Sequence, residues 1–509
     1  MAPVKPIRRL LVANRGEIAL RVMRSAREMG IEVVAVYSDP DRRALHSRLA
    51  EVAVSLDGAT PAETYLDMDK ILAAAKATGA DAIHPGYGFL SENATFAEKV
   101  AEAGIVWVGP PASAISAMGD KIESRRRMKA AGVPLVPGGV DAIDDPAQAV
   151  REAEGIGYPI ALKAAAGGGG KGIRVVREPA DIERAFKAAS DEAVKAFGDG
   201  RVYLERYLDE PRHVEIQVMF DTHGNGVHLG ERECSVQRRH QKLLEEAPSS
   251  AIDPAMREAM GQAALDAAKA VHYVGAGTVE FLVSGSEFFF LEMNTRLQVE
   301  HPVTEMITGR DLVREQLAVA GGEKLSFAQD DIEFDGHAIE VRLNAEDPLK
   351  GFLPSTGTVR NVRWPSGPGV RVDSGVYRGM EVGLNYDPML AKIIVWAPDR
   401  ERAIERMRRA LGELNIGGVK TSAPAAMIVL ENEKFRAGAY DTHLVEEIDF
   451  AASGGGQETA AAIAATLHRY YEARKRSLVL QADRGRGWLA RGRAKNVTPG
   501  WSAQGGPKV

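Results

Sequence analysis

The first 118 residues alternate short apolar runs with amphipathic stretches, and that alternation leaves few folds open. "IRRLLVAN" (7–14) reads as a buried strand and "RGEIALRVMRSAREMG" as a helix closing near Gly30, followed by the strand "EVVAVYS". "DAIHPGYGF" and "GIVWVG" come later, each after a helical stretch. Strands that alternate with helices pair in parallel, so a Rossmann-like domain is predicted over residues 1–118. Its first strand-to-helix turn is Asn14-Arg15-Gly16-Glu17 rather than G-x-G-x-x-G. Lacking the glycines that let a pyrophosphate approach the helix, the turn argues against a nicotinamide enzyme.

A chain of 509 residues exceeds one ordinary core, so several domains are expected. Region 119–330 mixes helices with the strands "YPIALKAA", "GIRVVRE", "VYLERYL" and "RHVEIQVMF". Region 335–446 holds the strand-like "GHAIEVRLNA" and "MLAKIIVWAP" and the helical "DRERAIERMRRALGEL". The fold class is therefore α/β and α+β, multidomain. "ASGGGQE" reads as a linker into a last helix, "TAAAIAATLHRYYEARKR", within an extension over 447–509. From Arg469 onward ten Lys/Arg face two acids, so the rest of the chain carries −14 of the net −6. Such a basic tail, with Trp488 and Trp501, is expected to dock on a partner subunit, and nucleic acid is not the expected partner. A single cysteine, Cys234, excludes a disulfide framework. No apolar run approaches bilayer length and the start lacks a secretory pattern, so the cytoplasm is expected.

"VEFLVSGSEFFFLEMN" (279–294) reads as a hairpin turning at Ser284-Gly285-Ser286. A three-residue loop would put Glu280, Glu292 and Asn294 on one face, with the glutamates roughly 5–8 Å apart. Like charges so close repel, more so when buried. Carboxylates with an amide oxygen suit a hard divalent cation such as Mg²⁺; a solvated surface hairpin is the bland alternative.

Other stretches point to phosphate. "KAAAGGGGKGIRVV" (163–176) places Gly168 and Gly169 between Lys163 and Lys171, a mobile loop whose backbone N–H groups can approach phosphate. It lacks the Ser or Thr of a Walker A loop. "RHVEIQV" (212–218) alternates, with His213, Glu215 and Gln217 on a polar face of the kind that most often meets solvent. "ERECSVQRRHQKLLEE" (231–246) gathers Arg232, Arg238, Arg239, His240 and Lys242, either an anion site or a salt-bridged surface. "EMNTRLQVEHPVTE" (292–305) places Arg296, Gln298, Glu300 and His301 just past the carboxylates, in a loop that Pro302 is expected to keep irregular.

In these stretches the chain resembles the biotin carboxylase family of the ATP-grasp superfamily, from about residue 7 to 446. The carriers are "ANRGEIA", "HPGYGFLSEN", "MGDK", "GGGGKG", "HVEIQV", "QRRHQK", "EMNTRLQVEHPVTE" and "RLNAEDP", in order over more than four hundred residues. The resemblance implies a pre-ATP-grasp domain at 1–118, an ATP-grasp domain at 119–330 with a mobile lid at about 136–207, and a C-terminal domain at 335–446. It implies ATP binding by Lys121, Lys163, Gly168, Gly169, His213, Gln237, His240 and the Glu205–Leu208 segment. Glu280 and Glu292 would hold Mg²⁺ or Mn²⁺, with Asn294 beside the second. Lys242, Arg296, Gln298 and Val299 would hold bicarbonate, and Glu300 would be the base. Arg342 would stabilise the biotin enolate and Tyr87 would touch the biotin ring. Arg206 and Lys171 exchange a lysine and an arginine for each other relative to bacterial relatives, and Ala165-Ala166 shortens the glycine run; charge is kept at both exchanged positions.

The implied reaction phosphorylates bicarbonate with ATP and passes CO₂ from carboxyphosphate to biotin. Because no Met-Lys-Met motif is present, the biotin is expected on a separate carrier protein, with the carboxyltransferase on a further chain. The resemblance further implies a homodimer. The expected complex is an acetyl-CoA or propionyl-CoA carboxylase, with fatty acid biosynthesis as one setting. The alternatives are a pyruvate carboxylase subunit, another ATP-grasp carboxylate-amine ligase, and a non-catalytic assembly module.

Overall fold

The computed structural model describes residues 6–139, 141–143, 145–164, 173–239, 241–454 and 464–471. Near the N-terminus, β1 (Arg9–Val12), β2 (Glu32–Tyr37), β3 (Val52–Ser55), β4 (Ala82–His84) and β5 (Val106–Trp107) form a parallel sheet of order β3-β2-β1-β4-β5. Helix α1 (Gly16–Glu28) follows β1 and buries Ile18, Val22 and Met23 against the sheet. Strand order reverses beside β1, the place where such sheets open a crevice. There Asn14 Nδ2 donates to the carbonyls of Pro85 and Tyr87, each at 2.7 Å. The turn that lacks the dinucleotide glycines thus fixes the loop carrying Tyr87.

A small antiparallel sheet of order β7-β6-β8 comprises β6 (Ile160–Ala164), β7 (Arg174–Val176) and β8 (Val202–Arg206), packed on the helices Pro146–Ile156 and Ile182–Phe197. The glycine run between β6 and β7, with Gly168, Gly169 and Lys171, lies outside the described residues.

The site is built on an eight-stranded antiparallel sheet. Its strands are β9 (Arg212–Phe220), β10 (Gly226–Arg238), β11 (Gln241–Ala247), β12 (Gly275–Ser284), β13 (Glu287–Asn294), β14 (His337–Asn344), Val370–Ser374 and Met389–Ala397. β14 pairs with β11, so the sheet runs unbroken through the region where the sequence suggests a boundary, near 330–335. Residues Met1–Ile448 form one compact unit and Asp449–Val509 a second. Of the second, the helix Phe450–Gly454 and a helical stretch over 464–471 are described; most of the linker, Trp488 and Trp501 lie outside the described residues. Among the described residues no helix is long and apolar enough to cross a membrane.

Three local expectations need correction. The hairpin turn has two residues, Gly285 and Ser286, because Ser284 pairs with Glu287; the odd residue is instead a bulge at Leu291. A regular ladder from that turn would set Glu280 against Leu291. The bulge sets it against Glu292. The polar face of β9 does not meet solvent: His213, Glu215 and Gln217 are buried, since neighbouring strands and charged partners cover them. Pro302 does not prolong a loop. It sits in the first turn of the helix His301–Thr308, where a missing N–H costs nothing.

Candidate active site

One rung of the sheet carries four charges. Arg232 on β10 opposes Glu215 on β9, Glu215 opposes Glu280 on β12, and Glu280 opposes Glu292 on β13. Directly opposed residues share a face, so three carboxylates stand in line. Arg232, wholly buried, donates to Glu215 Oε1 at 2.6 Å and Gln217 Oε1 at 2.7 Å. Lys242 enters from β11, whose turn with β10 places it opposite Gln237. Its Nζ lies 2.7 Å from Glu215 Oε2, 3.4 Å from Glu280 Oε1 and 2.5 Å from Glu300 Oε1.

The two ends of the rung differ in neutralisation. Glu280 also has His213 Nε2 at 3.0 Å and accepts from Asn294 and Gln298, each at 2.9 Å. Burial alone would raise its pKa, but Lys242 and His213 hold it well below the carboxylate range. Burial works against the His213 ring, yet the Glu280 charge raises it overall. Glu292 has Lys121 Nζ at 3.6 Å, and burial followed by the Glu280 charge raises its proton affinity against the opposing pull of Lys121 and His213. An under-neutralised carboxylate facing a second one, both hard oxygen donors, fits a small divalent cation. Asn294 stands differently from expectation: its amide bridges Glu280 and Arg296, whose guanidinium donates to Asn294 Oδ1 at 2.8 Å.

Around this rung lies a cavity of about 980 Å³. Lys121, at the start of its helix, and Lys163, paired with Glu205, line one part together with Leu208, His213 and Gln237. The Glu205 carboxylate is held by Arg125 at 3.0 Å as well as by Lys163. Leu282 and Leu291 add an apolar wall. The opposite part is lined by Tyr87, Arg296, Gln298, Val299 and Arg342. His240 lies outside the described residues, although it adjoins Arg239 and Gln241, both on the cavity wall.

Glu300 joins the two parts. Fully buried, it meets Lys242 through Oε1 and Arg342 through Oε2, at 2.8 Å. Burial would raise its pKa, but Lys242, Arg342 and Arg232 keep it well below the usual range. Arg342 also donates to Glu245 Oε1 at 2.5 Å, and Arg296 donates to Glu92 Oε2 at 2.9 Å. Glu245, Glu92 and the ionic role of Arg232 escape sequence reasoning. For Arg232 and Glu245 the signal is the charge-rich β10–β11 hairpin, legible once its residues are seen to be strand and buried; Glu92 sits in "HPGYGFLSEN", far from Arg296 in the chain.

Comparison with known proteins gives three family matches: "Biotin carboxylase, N-terminal domain" over residues 6–115, "Carbamoyl-phosphate synthase L chain, ATP binding domain" over 120–328, and "Biotin carboxylase C-terminal domain" over 340–447. Biotin carboxylase 1 of Bacillus subtilis is 53% identical over 445 residues, 87% of this chain and 99% of that protein. The propionyl-CoA carboxylase alpha chain of Ruegeria pomeroyi is 49% identical over 494 residues, 92% of this chain and 72% of that one. The crystal structure of the biotin carboxylase domain dimer of Hydrogenobacter thermophilus 2-oxoglutarate carboxylase, in complex with MgADP, ADP and bicarbonate, matches with a TM-score of 0.84. It is 48% identical, covering 87% of this chain and 98% of that one.

Proposed function

This chain belongs to the biotin carboxylase family, ATP-dependent enzymes that carboxylate biotin with bicarbonate, and from that premise we propose how its residues divide the work. Lys121, Lys163, the Glu205–Leu208 segment, His213 and Gln237 hold ATP, and His240, Gly168 and Gly169 are assigned to the same ligand from the family motif. Glu280 and Glu292 hold Mg²⁺ or Mn²⁺; when bound, the ion neutralises charge on the phosphate oxygens. Lys242, Arg296, Gln298 and the Val299 backbone orient bicarbonate against Glu300.

Glu300 is ionised and so able to accept the bicarbonate proton. Lys242, Arg342 and Arg232 restrain it as a base. When the biotin oxygen draws Arg342 away, Glu300 loses one of them and its basicity rises. Arg342 then stabilises the enolate beside Tyr87, in a closed site where a charge-assisted contact counts most. The observation that carries this reading is Glu300 clamped between Lys242 and Arg342, both on the cavity wall.

The expected assay result is bicarbonate-dependent ATP cleavage that free biotin stimulates. Cleavage indifferent to biotin would point instead to a carboxylate-amine ligase of the same superfamily. We further propose a homodimer working with a biotin carrier protein and a carboxyltransferase. An acyl-CoA acceptor is favoured because the propionyl-CoA carboxylase relative matches 92% of this chain. A 2-oxo acid such as pyruvate is the second reading, favoured by the 2-oxoglutarate carboxylase relative. Co-purification from the native cell, identifying the biotinylated chain and the transferase, decides between them.

A further inference from the structure

Lys392, in the strand Met389–Ala397, is wholly buried and is no part of the cavity wall. Its ammonium donates to the Val299 carbonyl at 2.8 Å and lies 3.3 Å from Glu17 Oε1. The Tyr87 hydroxyl donates to that same Glu17 oxygen. Across the ladder, Lys392 directly opposes Arg342. One amine thus ties together three pieces far apart in the chain: the 298–300 turn, the loop carrying Tyr87 and the strand carrying Arg342.

An apolar side chain of similar length would fill this volume, and replacing a buried ion pair by packed apolar groups is often neutral or stabilising. Stability alone does not explain the pair. What an apolar residue cannot do is hold the Val299 carbonyl, and through it the 298–300 turn, at a fixed distance from the Glu17–Tyr87 contact. We infer that Lys392 and Glu17 form a positioning strut, which holds the bicarbonate end of the cavity at a set distance from its biotin end. The strut rests on the residue roles proposed above for Glu300, Tyr87 and Arg342. Gln298 and Glu300 keep their own contacts to Glu280, Lys242 and Arg342, so bicarbonate-dependent ATP cleavage is expected to depend on the strut far less than carboxylation does.

The test uses the full chain with Lys392→Met combined with Glu17→Gln, which removes both partners of the ion pair together. Melting temperature, ATP KM, bicarbonate-dependent ATPase and carboxylation of free biotin are measured together. Misplacing reacting groups by about 1 Å costs on the order of 100-fold. Carboxylation is therefore expected to fall roughly 50- to 100-fold, with ATP KM within about twofold and ATPase within about fivefold of wild type. Lys392→Arg, which keeps a donor for both oxygens, is expected to recover most of the lost carboxylation. An unchanged ratio of carboxylation to ATPase overturns the strut, as does a parallel loss of both activities. Should the double variant fail to fold, Glu17→Gln alone must still lower the ratio about tenfold, and a wild-type ratio there overturns the proposal. Arg342→Ala serves as the control. If it leaves carboxylation intact, the residue roles themselves fall and the strut with them.

Discussion

Two rungs, one from each large sheet, show how differently this chain uses its interior. In the parallel sheet buried Val34, Leu11 and Ile83 stand side by side, flanked by half-buried Trp107 and exposed Val52 at the edges. In the antiparallel sheet the corresponding line is Arg232, Glu215, Glu280 and Glu292. The first is a packing device, replaceable by anything apolar of the right shape. The second concentrates like charge that only partners and ligands can balance. Damage to the first should therefore appear as lost stability with normal chemistry, and damage to the second as lost chemistry in a folded protein.

Glu280→Gln or Glu292→Gln should produce the largest effect. Each is expected to lower ATP-dependent turnover on the order of 1,000-fold, as when a centre that stabilises charge is removed, with the melting temperature little changed. Near-normal turnover by both variants at limiting Mg²⁺ would break the comparison at its charged end. Leu11→Ala tests the apolar end: denaturant titration should show a loss of about 3 kcal/mol, with ATP and biotin kinetics unaltered at permissive temperature. Arg342→Ala sharpens the division inside the cavity. Carboxylation of biotin should fall about 100-fold while bicarbonate-dependent ATPase survives, and equal loss of both would count against it.

The smallest expected effect is a pH effect on the apical charged pairs of β11. Burial would raise the Glu246 pKa, but the His337 hydrogen bond and the Arg400 charge bring it down to about 2 from an ordinary value near 4.5. A folded-state value depressed in this way stabilises the protein above pH 4.5 and is lost as the pH falls toward 2. Between about pH 4.5 and pH 3 Glu246 should therefore cost about 2 kcal/mol of stability. Urea titrations of wild type and Glu246→Gln at the two pH values should differ in slope by that amount.

How much was legible follows the same division. Apolar periodicity is a statement about burial, and it locates four of the five strands of the parallel sheet, missing the part-exposed Val52–Ser55, and five of the eight strands of the other. The β10–β11 hairpin was hidden because its composition is that of a surface, and only its neighbours make it an interior. The residues proposed to hold ligands were read from their motifs. Lys392 and Glu17 could not, since nothing in "MLAKIIVWAP" or "ANRGEIA" tells that two distant segments meet through one ammonium. Such contacts are set by tertiary geometry, which a linear pattern does not carry.

The bulge at Leu291 has a consequence of its own. An extended segment has a period of two and so ordinarily lends every second side chain to one side. By slipping one position, this one delivers Leu291 and Glu292 to the cavity in succession. A greasy contact and an anionic one are thereby spaced by a single residue, so a designer who straightened this hairpin would have to surrender one of them.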